Sequence, residues 1–298
     1  LNLFGPNPIV VFGTDSQKAR FLPPLISGQD RACFGVTEPD TGLNTTKLLT
    51  KAQRDGDNYV VNGRKMWTTT AQTANKILLI ARTKDIELCE KPSDGMSLFY
   101  TDLDKSSVEV RVIEKMGRKA VDSNALFIDD LVIPKEDRIG EEGDGWKCLL
   151  HGLNPERILL AAEAVGLGQA ALERASNYAR DRVVFDRPIG KNQAIQHPLA
   201  ANWVELEAAE LMVFKAATLY DSGKTCGAEA NAAKYLAGEA AFKACQQAVR
   251  THGGMGYAKE FHVERYMREV MIPLLAPVSQ ELVLSFIGEH VLGLEKSY

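Results

Sequence analysis

At Trp146 the chain changes grammar. Before it, residues 31 to about 140 are short β-branched and aromatic runs separated by polar or glycine-bearing links; after it, alanine, leucine, glutamate and lysine recur at helical spacing. One period cannot serve both halves. The chain is therefore predicted to be an α+β multidomain protein, with a middle β-domain over 31–143 and a helical bundle over 144–298.

Within the first half, AQRDGDNYVVNGRKMWTTT offers Asp55-Gly56 and Asn62-Gly63 as two hairpin turns. ILLIART, SLFYTDL, VEVRVI and ALFIDDLVIP supply further strands, the pattern of a small barrel or sandwich. In the second half, helices are predicted near 146–180, 193–222, 228–251 and 280–292, punctuated by Gly223, Gly227 and Gly253-Gly254, which makes a four-helix bundle. The opening FGTDSQKARFLPPLISG reads as one short helix stopped by Pro23-Pro24. Residues 1–30 are too little for a domain and are expected to be the remnant of a longer one.

Of the 298 residues, 45% are hydrophobic and 25% charged, which places the chain among globular proteins and not disordered ones. The formal charge of −4 and the absence of basic runs interleaved with aromatics argue against nucleic acid. Apolar runs such as ILLAAEAVGLGQAAL are cut by charge before membrane-spanning length, and no signal-peptide pattern opens the chain. No membrane insertion is expected, and the compartment is expected to be cytoplasmic, or the mitochondrial matrix in a eukaryote. Cys33, Cys89, Cys148, Cys226 and Cys245 are odd in number, scattered and without CxxC spacing, so they read as reduced and structural. The five histidines have no ligand spacing, and no metal is expected.

One stretch has two readings. In NPERILLAAEAVG, residues 154 to 166, Asn154 can cap a helix, Pro155 can fill its first turn and Glu156 can answer the positive end of the dipole. Alternatively Glu156 is a general base delivered into a buried pocket.

The segments FGVTEPDTGLNTT, KMWTTTA, RDRVVFDRPIGKNQAIQ and HGGMGY occur in an order and spacing that resemble the acyl-CoA dehydrogenase family, over nearly the whole chain. The resemblance implies an N-terminal helical domain of which about a hundred residues are absent here, leaving an exposed apolar face. It implies FAD lying between β-domain and bundle, with a neighbouring subunit completing the site in a homo-oligomer, a dimer or a tetramer built of dimers. A flavin that accepts hydride needs donors along its pyrimidine edge and a planar wall. Phe34, Val36 and Thr37 in FGVTEP match positions at that edge, and Trp67 and Thr69 in MWTTT match the wall and the N5 donor. Arg182, Phe185 and Gln193 match positions that reach a neighbour's FAD, while Arg250, Gly253 and Gly254 match positions at the cofactor's adenosine part, and Gln280 is a further FAD candidate. The chain departs from the common pattern at Arg250, where many members carry glutamine, at Leu43, where many have serine, and at Val278, which replaces a threonine. Asn44, Thr45 and Thr46 are substitute donors near the pyrophosphate.

The family reaction removes an α-proton from an acyl-CoA thioester while the β-hydrogen leaves as hydride, giving a trans-2-enoyl-CoA. Many members carry the base as a glutamate in the last third of the bundle, where this chain has Ala276. A minority, similar to isovaleryl-CoA and long-chain acyl-CoA dehydrogenases, carry it on the first bundle helix, in a pair matching Glu156-Arg157. The resemblance thus implies Glu156 as base, the backbone N–H of Ala276 as oxyanion donor, Asn154 and Arg157 near substrate, and an electron-transferring flavoprotein as partner. Pro155 then marks a break in one long helix whose start Asp144 or a neighbour caps. Two alternatives are an oxygen-using flavoprotein of the same fold and a binding protein that has lost its chemistry.

Overall fold

The computed structural model describes residues 6–296. They fall into two compact units, divided between Leu153 and Asn154.

The first unit opens with α1 (Asn7–Phe12) and α2 (Asp15–Ser27). Thr14 and Gln17 close a capping box at the start of α2, each side chain accepting from the other's backbone N–H. Contrary to the sequence expectation, α2 runs straight through Pro23-Pro24 and ends at Gly28, φ 78°. Gln17, Phe21 and Leu25 are buried along one face, and that i, i+4 stripe holds the helix across two residues that cannot donate to it.

The strands follow as β1 (Ala32–Gly35), β2 (Lys51–Asp55), β3 (Asn58–Thr69), β4 (Lys76–Arg82), β5 (Met96–Asp102), β6 (Val108–Val112), β7 (Ser123–Pro134) and β8 (Arg138–Ile139). Their order is β6-β7-β3-β2-β4-β5-β8, with β1 parallel to β4. β4 and β5 are buried on both faces because each face feeds a separate core. Ile77, Leu79, Ala81 and Phe99 pack against Tyr59, Val61, Leu126 and Ile133 of β3 and β7. Leu78, Ile80, Leu98 and Tyr100 pack against Phe21 and Leu25 of α2. The sheet is thus a sandwich folded over itself with helices on its back.

Of the two expected hairpin turns, Asp55-Gly56 joins β2 to β3, with Gly56 at φ 58°. Asn62-Gly63 is not a turn. It lies inside β3 at a register shift against β7, and a Cβ on Gly63 would stand 2.5 Å from Thr50 Oγ1 and 2.7 Å from Thr50 Cα. Glycine serves close approach of a neighbouring strand there, a second use that a dipeptide signal does not distinguish from a turn.

The helix α3 (Gly145–Asp181) is continuous through Pro155, and the division between units falls inside it. A two-residue hairpin, β9 (Val183–Val184) and β10 (Arg187–Pro188), leads to α4 (Gln193–Asp221), α5 (Gly227–His252), α6 (Val263–Glu269), α7 (Ile272–Leu275) and α8 (Gln280–His290). Alanines 230, 233, 237, 240, 241, 244 and 248 form the buried stripe of α5. Their small size lets helices approach closely: a Cβ on Gly168 of α3 would meet Leu206 Cδ2 at 2.6 Å and Ala241 Cα at 3.0 Å. Among the described residues, Val263–His290 is apolar and long enough to cross a membrane, but here it is three short helices separated by turns.

Candidate active site

On the β-unit, the residues expected at the flavin edge form one braced strip. Met66 N donates to Thr37 O at 2.8 Å, and Lys65 Nζ donates to Val36 O at 3.1 Å, so Val36 and Thr37 lie beside the end of β3. Lys65 is fully buried and its ammonium meets Glu38 Oε1 at 2.8 Å. The same carboxylate accepts from Leu49 N and Thr50 N. Burial works against the Glu38 charge, but Lys65 and these donors outweigh it and hold the carboxyl below its ordinary value; burial pushes Lys65 down to about 8. Both partners are satisfied, and the strip is stiff for that reason.

At the end of β3 the register against β7 shifts between Lys65 and Thr68, and Trp67 takes φ 60° with Thr70 at φ 66°. This bulge turns the indole outward, 55% exposed, while Thr68 beside it is buried. Left-handed backbone at a tryptophan costs of order 1–3 kcal/mol and persists where surrounding bonds over-determine it. The Phe34 and Thr69 side chains keep partial exposure on the same unit.

The loop carrying Leu43, Asn44, Thr45 and Thr46 is exposed to partly exposed and anchored from below. Arg82, buried, donates to the carbonyls of Leu48, Asp94, Thr46 and Pro92 at 2.7–3.2 Å. At the root of that loop, Thr41 Oγ1 is buried without a hydrogen-bond partner among the described residues. An outward indole, a backbone edge fixed by a buried ion pair and an unpaired hydroxyl beside a polar loop fit a flat aromatic group with an anionic tail, as FAD has. Sequence reasoning missed Lys65, Glu38 and Arg82; the signal for Lys65 and Arg82 was charge inside otherwise β-forming runs, and Glu38, in the loop after β1, gave none.

In the helical unit, the structure removes the capping reading of Asn154-Pro155-Glu156. None of the three is at a helix start: α3 begins at Gly145, and the carbonyl of Asp144 accepts from Cys148 N at 3.1 Å. Glu156 therefore gains nothing from a helix N-terminus. It is half-buried, and burial pushes its carboxyl up to about 7 against the lowering effect of the neighbouring Arg157 cation. Arg157 Nη1 donates to Asn154 Oδ1 at 3.0 Å, while its Nε is buried without a partner among the described residues. The expected break at Pro155 is absent; Ile158, Ala161, Ala164 and Val165 bury the next two turns and carry the helix through.

The other bundle candidates fall in three places. Arg182 is exposed at the end of α3, followed by the hairpin whose central residues, Phe185 and Asp186, have φ 52° and 59°. Phe185 is 92% exposed. Gln193 is exposed at the first turn of α4. Arg250, Gly253 and Gly254 are exposed at the end of α5, Gly253 with φ 61° and open space around it. Gly256, which sequence reasoning left aside, is the crowded glycine of HGGMGY: a Cβ there would stand 2.3 Å from Val249 O. Beneath the turn His252 stacks on Tyr178 at 4.2 Å. Gln280 is interior, its amide spent on Lys234, Tyr235 and Glu239. The Ala276 N–H donates to Ile272 O at 2.9 Å, the last bond of α7.

The profile "Acyl-CoA dehydrogenase, middle domain" matches residues 33–131, and "Acyl-CoA dehydrogenase, C-terminal domain" matches 143–292. Acyl-CoA dehydrogenase FadE12 of Mycobacterium tuberculosis is 39% identical over 97% of this chain and 74% of its own length. The Caffeyl-CoA reductase-Etf complex subunit CarC of Acetobacterium woodii is 35% identical over 91% of this chain and 71% of its own. The structure of butyryl-CoA dehydrogenase from Megasphaera elsdenii superposes with a TM-score of 0.92 at 33% identity, covering 98% of this chain and 75% of that one. Sandwich, bundle, flavin-edge motifs and these likenesses agree: the chain belongs to the acyl-CoA dehydrogenase family of FAD-dependent oxidoreductases.

Proposed function

We propose that Glu156 is the general base of an FAD-dependent α,β-dehydrogenation of an acyl-CoA thioester, taking the α-proton as a trans-2-enoyl-CoA forms. The observation that carries this is the place of Glu156: within a continuous helix, away from any helix N-terminus, half-buried and raised to about 7, on a chain whose other family position for the base is Ala276. A base whose pKa lies near the working pH is both available and strong enough to accept a proton. FAD, when bound, takes the β-hydrogen as hydride. Arg157 keeps the Glu156 pKa from rising further, and with Asn154 it presents polar atoms on the same turn of α3 for the CoA ester. Phe34, Val36, Thr37, Trp67 and Thr69 hold the flavin, with Gln280 bracing the bundle from inside. The Ala276 N–H serves the thioester oxygen by sharing its bond to Ile272.

Arg182, Phe185, Gln193, Arg250, Gly253 and Gly254 reach the flavin of a second copy, supported by a phenyl ring held in water on a left-handed turn. An electron-transferring flavoprotein is the proposed oxidant, supported by the relative named as a subunit of an Etf complex.

The test is anaerobic flavin bleaching by a panel of acyl-CoAs in wild type and Glu156→Gln. Bleaching abolished with binding retained supports the base; undiminished bleaching in the variant removes it. The missing carboxylate at Ala276 also favours a second reading, an oxygen-using flavoprotein, which rapid reaction of the reduced enzyme with oxygen and no bleaching by any acyl-CoA would support.

A further inference from the structure

Lys234 of α5 is 1% exposed, and the reaction above gives it no part. Its Nζ donates to Gln280 Oε1 at 2.9 Å. Gln280 in turn donates through Nε2 to Tyr235 O and Glu239 Oε1, both at 3.2 Å, so α5 grips both ends of one amide. One turn along the same face, four residues after Lys234, Gly238 leaves room for α7: a Cβ there would meet Gln280 Nε2 at 3.1 Å and Pro273 O at 3.2 Å. The gripped elements flank the turn Ala276–Ser279, whose far side is closed by the Ser279 cap of α8 and by the Ala276 bond to Ile272. A buried ammonium is costly, and one neutral amide oxygen is a weak reason to bury it.

We propose that Lys234 is a positioning residue: by clasping Gln280 it fixes the Ala276–Ser279 turn against α5, and so sets the place of the backbone N–H that faces the thioester oxygen. This rests on the reading of Ala276 given above. Burial pushes Lys234 down to about 8; Glu281 of α8 and Glu239 of α5 raise it, and Arg157 of α3 lowers it. The clasp therefore weakens as pH rises through that value, because a neutral amine is the poorer donor.

The test uses flavin-loaded enzyme and stopped-flow bleaching by a saturating acyl-CoA between about pH 6 and about pH 9.5. Wild type is expected to slow on the alkaline side. Lys234→Met should bleach about 10- to 100-fold more slowly, with half-saturation little changed and the alkaline fall gone, the loss that misplacing one group by about 1 Å brings. Gln280→Leu should reproduce the slow rate, and adding it to Lys234→Met should cost nothing more. A Lys234→Met enzyme with wild-type rate and alkaline limb overturns the proposal, as do independent, multiplying losses in the double variant. Where Lys234→Met fails to fold, Gln280→Leu decides alone, and a wild-type profile there is equally fatal. Glu156→Gln run in parallel separates the two readings: its bleaching at wild-type rate removes the base and leaves the Lys234 comparison standing. Were no acyl-CoA to bleach wild type, the reading of Ala276 would fall, and proteolysis between Met271 and Ser279, no faster in Lys234→Met, would then remove the clasp as well.

Discussion

Replacing Glu156 by glutamine should separate catalysis from stability in opposite directions. A carboxyl raised from 4.5 to about 7 binds its proton more tightly when folded, so its charged form opposes folding and stability is lost as pH rises from 4.5 through about 7. Linkage puts that penalty at about 3 kcal/mol at pH 8 and about 1 kcal/mol at pH 5. Glutamine has no such penalty, but it leaves Arg157, whose Nε is already without a partner among the described residues, with less compensation, so the absolute gain is smaller. The difference between the two pH values escapes that complication: relative to wild type, Glu156→Gln should gain about 2 kcal/mol on going from pH 5 to pH 8. Chemical denaturation at both pH values measures it. Bleaching should meanwhile fall by about 10²- to 10⁴-fold, the usual worth of a general base, and wild-type kcat/KM should climb about tenfold between pH 6 and pH 8. A stability offset independent of pH would refute the argument, because it would show that the carboxyl titrates normally in the folded protein.

Other perturbations follow from the same geometry. Arg82→Met removes donors from four carbonyls and should lower stability by about 3 kcal/mol, with loosened flavin binding, seen as a fall in Tm and in flavin content; retention of both would mean the loop is held otherwise. Gly256→Ala drives a methyl to 2.3 Å from Val249 O and should cost more than about 2 kcal/mol, whereas Gly254→Ala meets open space and should cost under about 1; equal Tm losses would contradict this. Trp67→Ala should leave folding within about 1 kcal/mol of wild type, since the indole is half in water, yet weaken flavin retention in equilibrium dialysis.

Much of the architecture was legible as period. Four helical stretches became α3, α4, α5 and α8, and the apolar runs became β4 and β5, which bury alternate residues in opposite cores, and β7, which buries one face in a single core. Asn62-Gly63 and Pro23-Pro24 misled for a common reason: both are local signals overridden by packing, by Thr50 against β3 in one case and by Phe21 and Leu25 in the other. In the site, motif residues were visible and their supports were not. Lys65, Arg82 and Lys234 look on paper like solvated charges, and only the fold shows that each is buried with carbonyls, a carboxylate or an amide around it. Likewise, Asn154-Pro155-Glu156 spells a helix start although the helical period already runs from 146, and α3, with nine residues from Gly145 to Leu153 ahead of Asn154, shows that the period and not the cap signal was the right guide.

The buried Lys65–Glu38 pair bears on the order of assembly. It ties the Val36-Thr37 edge to β3 through groups of the protein alone, so that edge has its shape before any cofactor arrives. Flavin would then meet a surface with little left to reorganise, and the apoprotein should accept altered flavins without unfolding. With that pair broken, the flavin itself would have to order the edge on arrival, and binding would weaken by the cost of that ordering.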